Sequence, residues 1–441
     1  MNHLHRFSEQ NPFIMQGMAS KSQLHVSRMA ESLIGSEIIK LAWEVNDLIK
    51  KGAQIYNFTI GDFDPKVFPI PNVLEEEISK ALHAGHTNYP PANGIPELRK
   101  SVSAFLTRHG GFQYPSDSIL VTSGGRPAIY CIYMTLIDPG DGVIFPVPSW
   151  NNNHYCHLSG AKPLPVETSP ENNFMPTADE MRPFIKDATL IALCSPQNPT
   201  GTTFTRQALE EICDMVLEEN ERRGDKQKPL YVLYDQMYWV LTYGQTVHYD
   251  PVSLRPQMRD YTLYIDGISK SCAATGLRVG WAFGPEYVID KMKSIASHIG
   301  AWAPRPEQEA TARFLQLEDA MSTYLAGFKE QLWLRLEGIY EGLMKLRNEG
   351  HPVNAIAPQA ALYLTVQFDL KGKKTMDGSV LDTTADVTSY LLHECGMAIV
   401  PFYAFGSSHD STWYRLSVGT CKLHEIEESI GKLKSGLGKL S

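Results

Sequence analysis

Leu230-Tyr231-Val232-Leu233-Tyr234-Asp235 sets five apolar or aromatic residues in a row and then a carboxylate. A run without polar alternation describes a strand covered on both faces, and such strands belong to sheets flanked by helices. The carboxylate at its end is expensive. An unpaired charge there would cost several kcal/mol, so Asp235 must meet a cation or hydrogen-bond donors. Gln236-Met237-Tyr238, which follows, is no evident helix-cap sequence.

The same pattern recurs on either side, at Ile119-Leu120-Val121-Thr122, Gly142-Val143-Ile144-Phe145, Thr189-Leu190-Ile191-Ala192-Leu193, Thr262-Leu263-Tyr264-Ile265 and Val279-Gly280-Trp281-Ala282-Phe283. Helical patterns separate these runs. The clearest is Arg206 to Arg223, with Thr205 as its cap and Gly224 as its stop. Alternation of this kind predicts an α/β fold with a mostly parallel sheet, and ligands of such sheets bind at the C-terminal strand ends. Upstream, an amphipathic stretch from Ser36 to Lys51 stops at Gly52. From Glu307 to Glu349 one or two connecting helices lead out of the sheet region. The last hundred residues read as a smaller α+β domain, with strands at 361–368, 397–400 and 413–418 and helices at 385–395 and 423–433. The expected division is therefore 1–65 as an N-terminal arm and part of the small domain, 66–320 as the large domain, and 321–441 as connecting helix and C-terminal small domain.

Composition narrows the function. The chain has 441 residues, 43% of them hydrophobic and 20% charged, which suits a globular protein of two or three folding units. Its net charge of −9 makes nucleic acid and anionic membrane poor partners. Seven scattered cysteines without a Cys-x-x-Cys pair argue against a disulfide framework and against zinc, and His83-x-x-His86 and His154-x-x-His157 lack further spaced ligands, so no metal is expected. The first residues lack the apolar core of a signal peptide, and no apolar run approaches membrane-spanning length, so a cytoplasmic location is expected.

Six features fall at or near strand ends. Ser123-Gly124-Gly125-Arg126-Pro127 joins a strand to a helical run, where free N–H groups favour a phosphate. Trp150 can stack on a flat ligand, or simply fill core. Asn198, in Ser195-Pro196-Gln197-Asn198-Pro199-Thr200-Gly201, carries an amide that can donate to a ligand oxygen. Asp235 is the fourth. The fifth is Lys270, in Ile265-Asp266-Gly267-Ile268-Ser269-Lys270, a lysine closing a buried run. The sixth is the pair Arg278 and Arg415, whose guanidinium groups suit bidentate binding of phosphate or carboxylate. Each has an ordinary structural explanation; their order along the chain is the stronger signal.

That order, Asn198-Pro199-Thr200-Gly201, Asp235-Gln236-Met237-Tyr238, Ser269-Lys270, Gly276-Leu277-Arg278-Val279-Gly280 and Tyr414-Arg415-Leu416-Ser417, resembles the motifs of the fold type I, class I/II aminotransferases, the aspartate aminotransferase family. The resemblance runs from Gly61 to Arg415. It implies a large domain with a mostly parallel seven-stranded sheet, a smaller α+β domain, and pyridoxal 5′-phosphate as cofactor. It further implies that Lys270 forms the internal aldimine and moves the substrate Cα proton, that Asp235 keeps the pyridine nitrogen protonated, and that Tyr238 and Asn198 bind the ring's phenolic oxygen while Trp150 stacks on its face. The phosphate falls to Gly124, Gly125, Arg126, Ser269 and Arg278, with Tyr89 reaching it from the neighbouring subunit of a homodimer. Arg415 takes the substrate α-carboxylate, helped by Asn198 and the Gly61 backbone.

Two departures from the animal-type members stand out. Gly124 and Gly267 replace phosphate-binding serines, and Ile299 stands where those enzymes have an arginine for a distal carboxylate, leaving Arg305, Arg126 and His298 as alternatives. The implied activity is amino transfer between an L-amino acid, aspartate or aromatic, and a 2-oxo acid such as 2-oxoglutarate, in amino acid metabolism. The alternatives are another reaction on the same cofactor, such as C–S β-elimination or cyclopropane-carboxylate synthesis, or a non-catalytic protein of the same fold.

Overall fold

The computed structural model describes residues 26–33, 37–111 and 113–441; of the segment 1–65 expected to hold the N-terminal arm, residues 1–25 and 34–36 lie outside the described residues. The chain forms two compact units, Met1–Gly35 and Ser36–Ser441. In the first, one helical turn, Arg28–Glu31, starts on Ser27, whose hydroxyl accepts from the Ala30 N–H at 3.2 Å.

The second unit opens with the helix Glu37–Lys50 and a short strand β1 (Tyr56–Asn57). Seven strands then build the main sheet: β2 (Ile119–Thr122), β3 (Gly142–Val147), β4 (Lys162–Glu167), β5 (Ala188–Cys194), β6 (Tyr231–Asp235), β7 (Thr262–Gly267) and β8 (Gly280–Phe283). Their order is β2-β8-β7-β6-β5-β3-β4, and β8 alone runs against its neighbours. The six apolar runs thus become six of these strands. Their side chains alternate between two cores: Leu190, Ala192, Leu233 and Ile265 pack on one face, and Ile191, Leu193, Val232 and Tyr264 on the other. A sheet with apolar matter on both faces has no polar side, which is why its strands read as unbroken apolar runs. The seventh strand, β4, escaped that signal. It is an edge strand, Lys-Pro-Leu-Pro-Val-Glu, in which Leu164 and Val166 are buried and the other four residues are exposed; its two prolines are tolerated because an edge strand has unpaired N–H positions.

Beyond β8, the expected one or two connecting helices are two, Arg305–Phe314 and Glu318–Asn348. A second sheet follows, made of β9 (Val353–Ala355), β10 (Tyr363–Phe368), β12 (Val400–Pro401) and β13 (Trp413–Ser417) in the antiparallel order β12-β13-β10-β9, with β11 (Met397–Ala398) between β10 and β12 in sequence. Here β1 returns: Tyr56 and Asn57 pair in parallel with Met397 and Ala398 of β11. The N-terminal segment is thereby tied to the C-terminal third of the chain. No helix among the described residues is long and apolar enough to cross a membrane.

Candidate active site

Five strands deliver side chains to one end of the main sheet. β2 leads through Gly124 into the helix Gly125–Leu136, β3 leads to Trp150, β5 to Asn198, β6 ends on Asp235, and β7 runs into the short helix Ile268–Ser271 that carries Lys270. Because β8 is antiparallel, its beginning lies at this same end, and Arg278 precedes it. Arg415 arrives from β13, where it pairs with Thr365 of β10. These elements enclose a cavity of about 740 Å³ lined by Gly61, Gly125, Arg126, Trp150, Asn198, Asp235, Tyr238, Ser269, Lys270, Arg278 and Arg415.

Charge inside the cavity is largely unpaired. Arg415 is 1% exposed, yet its partners are neutral oxygens: Nη1 donates to Asn198 Oδ1 at 3.1 Å and Nη2 to the Thr59 carbonyl at 2.7 Å, while Nε has no acceptor. Aromatic faces surround it, Tyr363 and Phe405 each 4.9 Å from the guanidinium carbon. Asp235 accepts the Met237 N–H at 3.0 Å, and burial raises its carboxyl to about 6. Lys270 Nζ donates to the Gly61 carbonyl at 2.6 Å. Burial pushes its amine down to about 8, Asp62 opposing and Arg415, Arg126 and Arg278 reinforcing the fall. A lysine at that value is about one-fifth neutral at physiological pH, and that neutral fraction can act as a base or a nucleophile. The site therefore holds an anion without a cation and a guanidinium without an anion, an arrangement that a ligand carrying both charges would satisfy.

The turn after β2 forms the other wall. Gly124 has φ 83°, and a side chain there would run into the Arg278 guanidinium, which donates to the Thr275 carbonyl at 2.7 Å and the Ser123 carbonyl at 3.0 Å. The helix that starts at Gly125 has no side-chain cap, so its first N–H groups face the cavity end of the sheet. Gly267 is fixed by packing as well: a Cβ there would fall 2.8 Å from Gly280 Cα. A serine at 267 would need the β7 and β8 backbones to part, which accounts for that departure from the animal-type pattern.

Among the sequence-derived residues, two stand outside the cavity lining. Gly124 lies behind Arg278, and Tyr89 is 81% exposed with its ring against Trp302, centroids 5.2 Å apart. Of the three alternatives for a distal carboxylate, Arg126 lines the cavity, 5.3 Å from the Trp150 ring; Arg305 instead bonds Asn88 Oδ1 at 2.7 Å and pairs with Glu309 at 3.4 Å, and His298 ends its helix away from the cavity lining. Sequence reasoning missed Tyr363, Asp62 and the cavity contribution of Ile38 and Ala42 from the first long helix. Nothing local marks them, since the contacts join residues hundreds of positions apart.

Residues 53–433 match the family model described as aminotransferase class I and II. The chain belongs to the class I and II aminotransferases. It is 29% identical to a probable aspartate/prephenate aminotransferase of Rhizobium leguminosarum bv. phaseoli over 91% of this chain and 96% of that protein. It is 27% identical to an aspartate aminotransferase of Bacillus subtilis over 95% of this chain and 100% of that one. The crystal structure of the aspartate aminotransferase from Rhizobium meliloti superposes with a TM-score of 0.86 at 26% identity, covering 95% of this chain and all of that one. The fold is fold type I, and this aminotransferase depends on pyridoxal phosphate. The cavity fits that cofactor: the cationless Asp235 suits a protonated pyridine nitrogen, the Gly124 turn and uncapped helix suit a phosphate, and Lys270 suits an aldehyde carbon.

Proposed function

We propose that this aminotransferase takes its amino group from a dicarboxylic L-amino acid, aspartate or glutamate, and passes it to a 2-oxo acid such as 2-oxoglutarate. The observation that carries this reading is a pair of guanidinium groups in the cavity lining, Arg415 and Arg126, both close to the Trp150 ring, 6.0 and 5.3 Å from its centre. Arg415 receives the α-carboxylate and Arg126 the distal one. Asn198, whose Oδ1 is already used by Arg415, keeps its amide N–H groups for the cofactor's phenolic oxygen, alongside Tyr238. Asp235 retains the proton on the pyridine nitrogen, and Trp150 covers the ring. Gly124, Gly125, the Arg126 backbone, Ser269 and Arg278 hold the phosphate. Bound pyridoxal phosphate supplies an electron sink for the negative charge that develops at the substrate Cα. Lys270 removes the proton from that carbon and returns it one position along.

A homodimer completes the site, with Tyr89 of a second copy reaching the phosphate, and the enzyme works in the cytoplasm. Within each copy, residues 66–320 form the large domain, and 321–441 supply the connecting helix and the C-terminal small domain, which part of the first 65 residues completes. The pairing of β1 with β11 supports this division.

Replacing Arg126 with Gln tests the substrate reading. KM for aspartate, glutamate and 2-oxoglutarate should rise about tenfold or more, as befits loss of a charged hydrogen bond, while donors with one carboxylate, aromatic ones included, keep their parental KM. Unchanged KM for the dicarboxylic donors would remove Arg126 from that role and leave an aromatic donor as the better reading.

A further inference from the structure

Tyr363 is separated from Tyr238 by 125 residues, yet their hydroxyl oxygens lie 2.8 Å apart in the buried wall of the cavity. The two rings meet edge to face, centroids 5.6 Å apart. The Tyr363 ring also supports Arg415, whose guanidinium carbon is 4.9 Å from its centre. Space for the hydroxyl comes from Gly61, where a Cβ would fall 2.9 Å from it. One side chain therefore touches the group that binds the cofactor's phenolic oxygen and the group that binds the substrate's carboxylate.

We propose that Tyr363 is a positioning residue for both half-reactions: its hydroxyl donates to Tyr238, and its ring holds the Arg415 guanidinium in place. The inference rests on the reading of the cavity as the cofactor and substrate site. Its logic is a count of hydrogens. Each phenol has one, and in a pair at 2.8 Å one oxygen gives and the other accepts. If Tyr238 gave its hydrogen to Tyr363, none would remain for a ligand oxygen. The reverse direction leaves Tyr238 free to donate into the cavity and strengthens that donation, because hydrogen bonds in a chain polarise one another. Arg415 favours this direction. Burial raises both phenols, but the guanidinium charge offsets the rise at Tyr363 and makes it the readier donor. The ring acts separately. A cation over an aromatic face is held by the ring's quadrupole, and burial of the guanidinium strengthens that hold.

Two replacements in the full-length, cofactor-loaded enzyme separate the two roles. Tyr363→Phe removes only the hydroxyl. The weaker Tyr238 donation leaves the imine proton more firmly held, so the pH midpoint of the visible cofactor band should move up by about half a unit, less than with Tyr238→Phe, while KM changes less than about twofold. The unfolding temperature of the cofactor-free Tyr363→Phe protein should match that of the parent, which places the effect on the cofactor rather than on folding. Tyr363→Leu removes the ring too, and should add a rise of about threefold or more in KM for every amino acid and 2-oxo acid, whatever its side chain. A Phe variant titrating at the parental midpoint overturns the hydroxyl's role, and a Leu variant with parental KM overturns the ring's. A parent enzyme without any visible band would instead strike down the reading of the cavity, and the role of Tyr363 with it.

Discussion

Single residues in this protein are strained electrostatically where they are meant to meet a ligand. Asp235 is the clearest case. Its carboxyl is raised from 3.8 to about 6 by burial, so the folded chain holds a proton that the unfolded chain has lost. The associated stability is fully present below about pH 4 and is lost as the pH rises through about 6. At neutral pH the cofactor-free protein carries a penalty of about 3 kcal/mol from this one group, which a protonated pyridine nitrogen would relieve. Asp235→Asn should therefore stabilise the cofactor-free protein by up to about 3 kcal/mol at pH 7.5 and make little difference near pH 4, as measured by denaturant unfolding at the two pH values. In the loaded enzyme the same change should cut kcat sharply. A cofactor-free Asn variant no more stable than the parent at pH 7.5 would show that Asp235 carries no such burden. Asp266, on the opposite face, is raised further, to about 8, mainly by burial, but it has donors of its own in the Gly267 N–H at 2.7 Å and Trp239 Nε1 at 3.0 Å. It is a structural acid, where Asp235 awaits a partner.

At the scale of elements, apolar runs made six of the seven main strands legible, because a strand buried on both faces leaves a contiguous signature. The helix from Arg206 to Arg223 was legible to the residue, because Thr205 accepts the Ala208 N–H and Gly224 terminates it. The edge strand β4 was not, since alternation broken by two prolines imitates a loop. The site divided in the same way. Lys270, Asp235 and Asn198 sit at strand ends and could be read in order, whereas Tyr363 depends on β10 lying across from the turn after β6, a juxtaposition that no local spacing encodes. The glycines at the phosphate wall belong to this second group. Gly124 combines φ 83° with ψ 176°, a conformation open essentially to glycine, and its missing side chain leaves room for Arg278. Gly124→Ala should lower cofactor affinity about tenfold or more and cost about 1–3 kcal/mol of stability, followed by absorbance titration and thermal unfolding. Gly327→Ala, inside the long helix where a Cβ would meet nothing within 4 Å, should be neutral or slightly stabilising. Equal behaviour of the two variants would show that the turn carries no special constraint.

Over the whole molecule, a chain of net charge −9 must attract anionic ligands, and it does so by local excess: the cavity lining carries Arg126, Lys270, Arg278 and Arg415 against Asp62 and Asp235. One element of the proposed phosphate grip is missing from this count. Tyr89 is 81% exposed and stands outside the cavity lining of its own chain; in the proposed dimer it serves the phosphate of the second copy. A dimer with shared sites makes a quantitative prediction. Tyr89→Ala and Lys270→Ala should each be strongly impaired. In a hybrid of the two, one site carries both lesions and the other carries neither, so an equimolar mixture after full subunit exchange should recover about a quarter of parental activity. Sites built within single chains would recover nothing beyond the mean of the two variants. Exchange itself is checked by mass spectrometry of differently tagged copies, so that absent recovery in the presence of hybrids counts directly against a shared site.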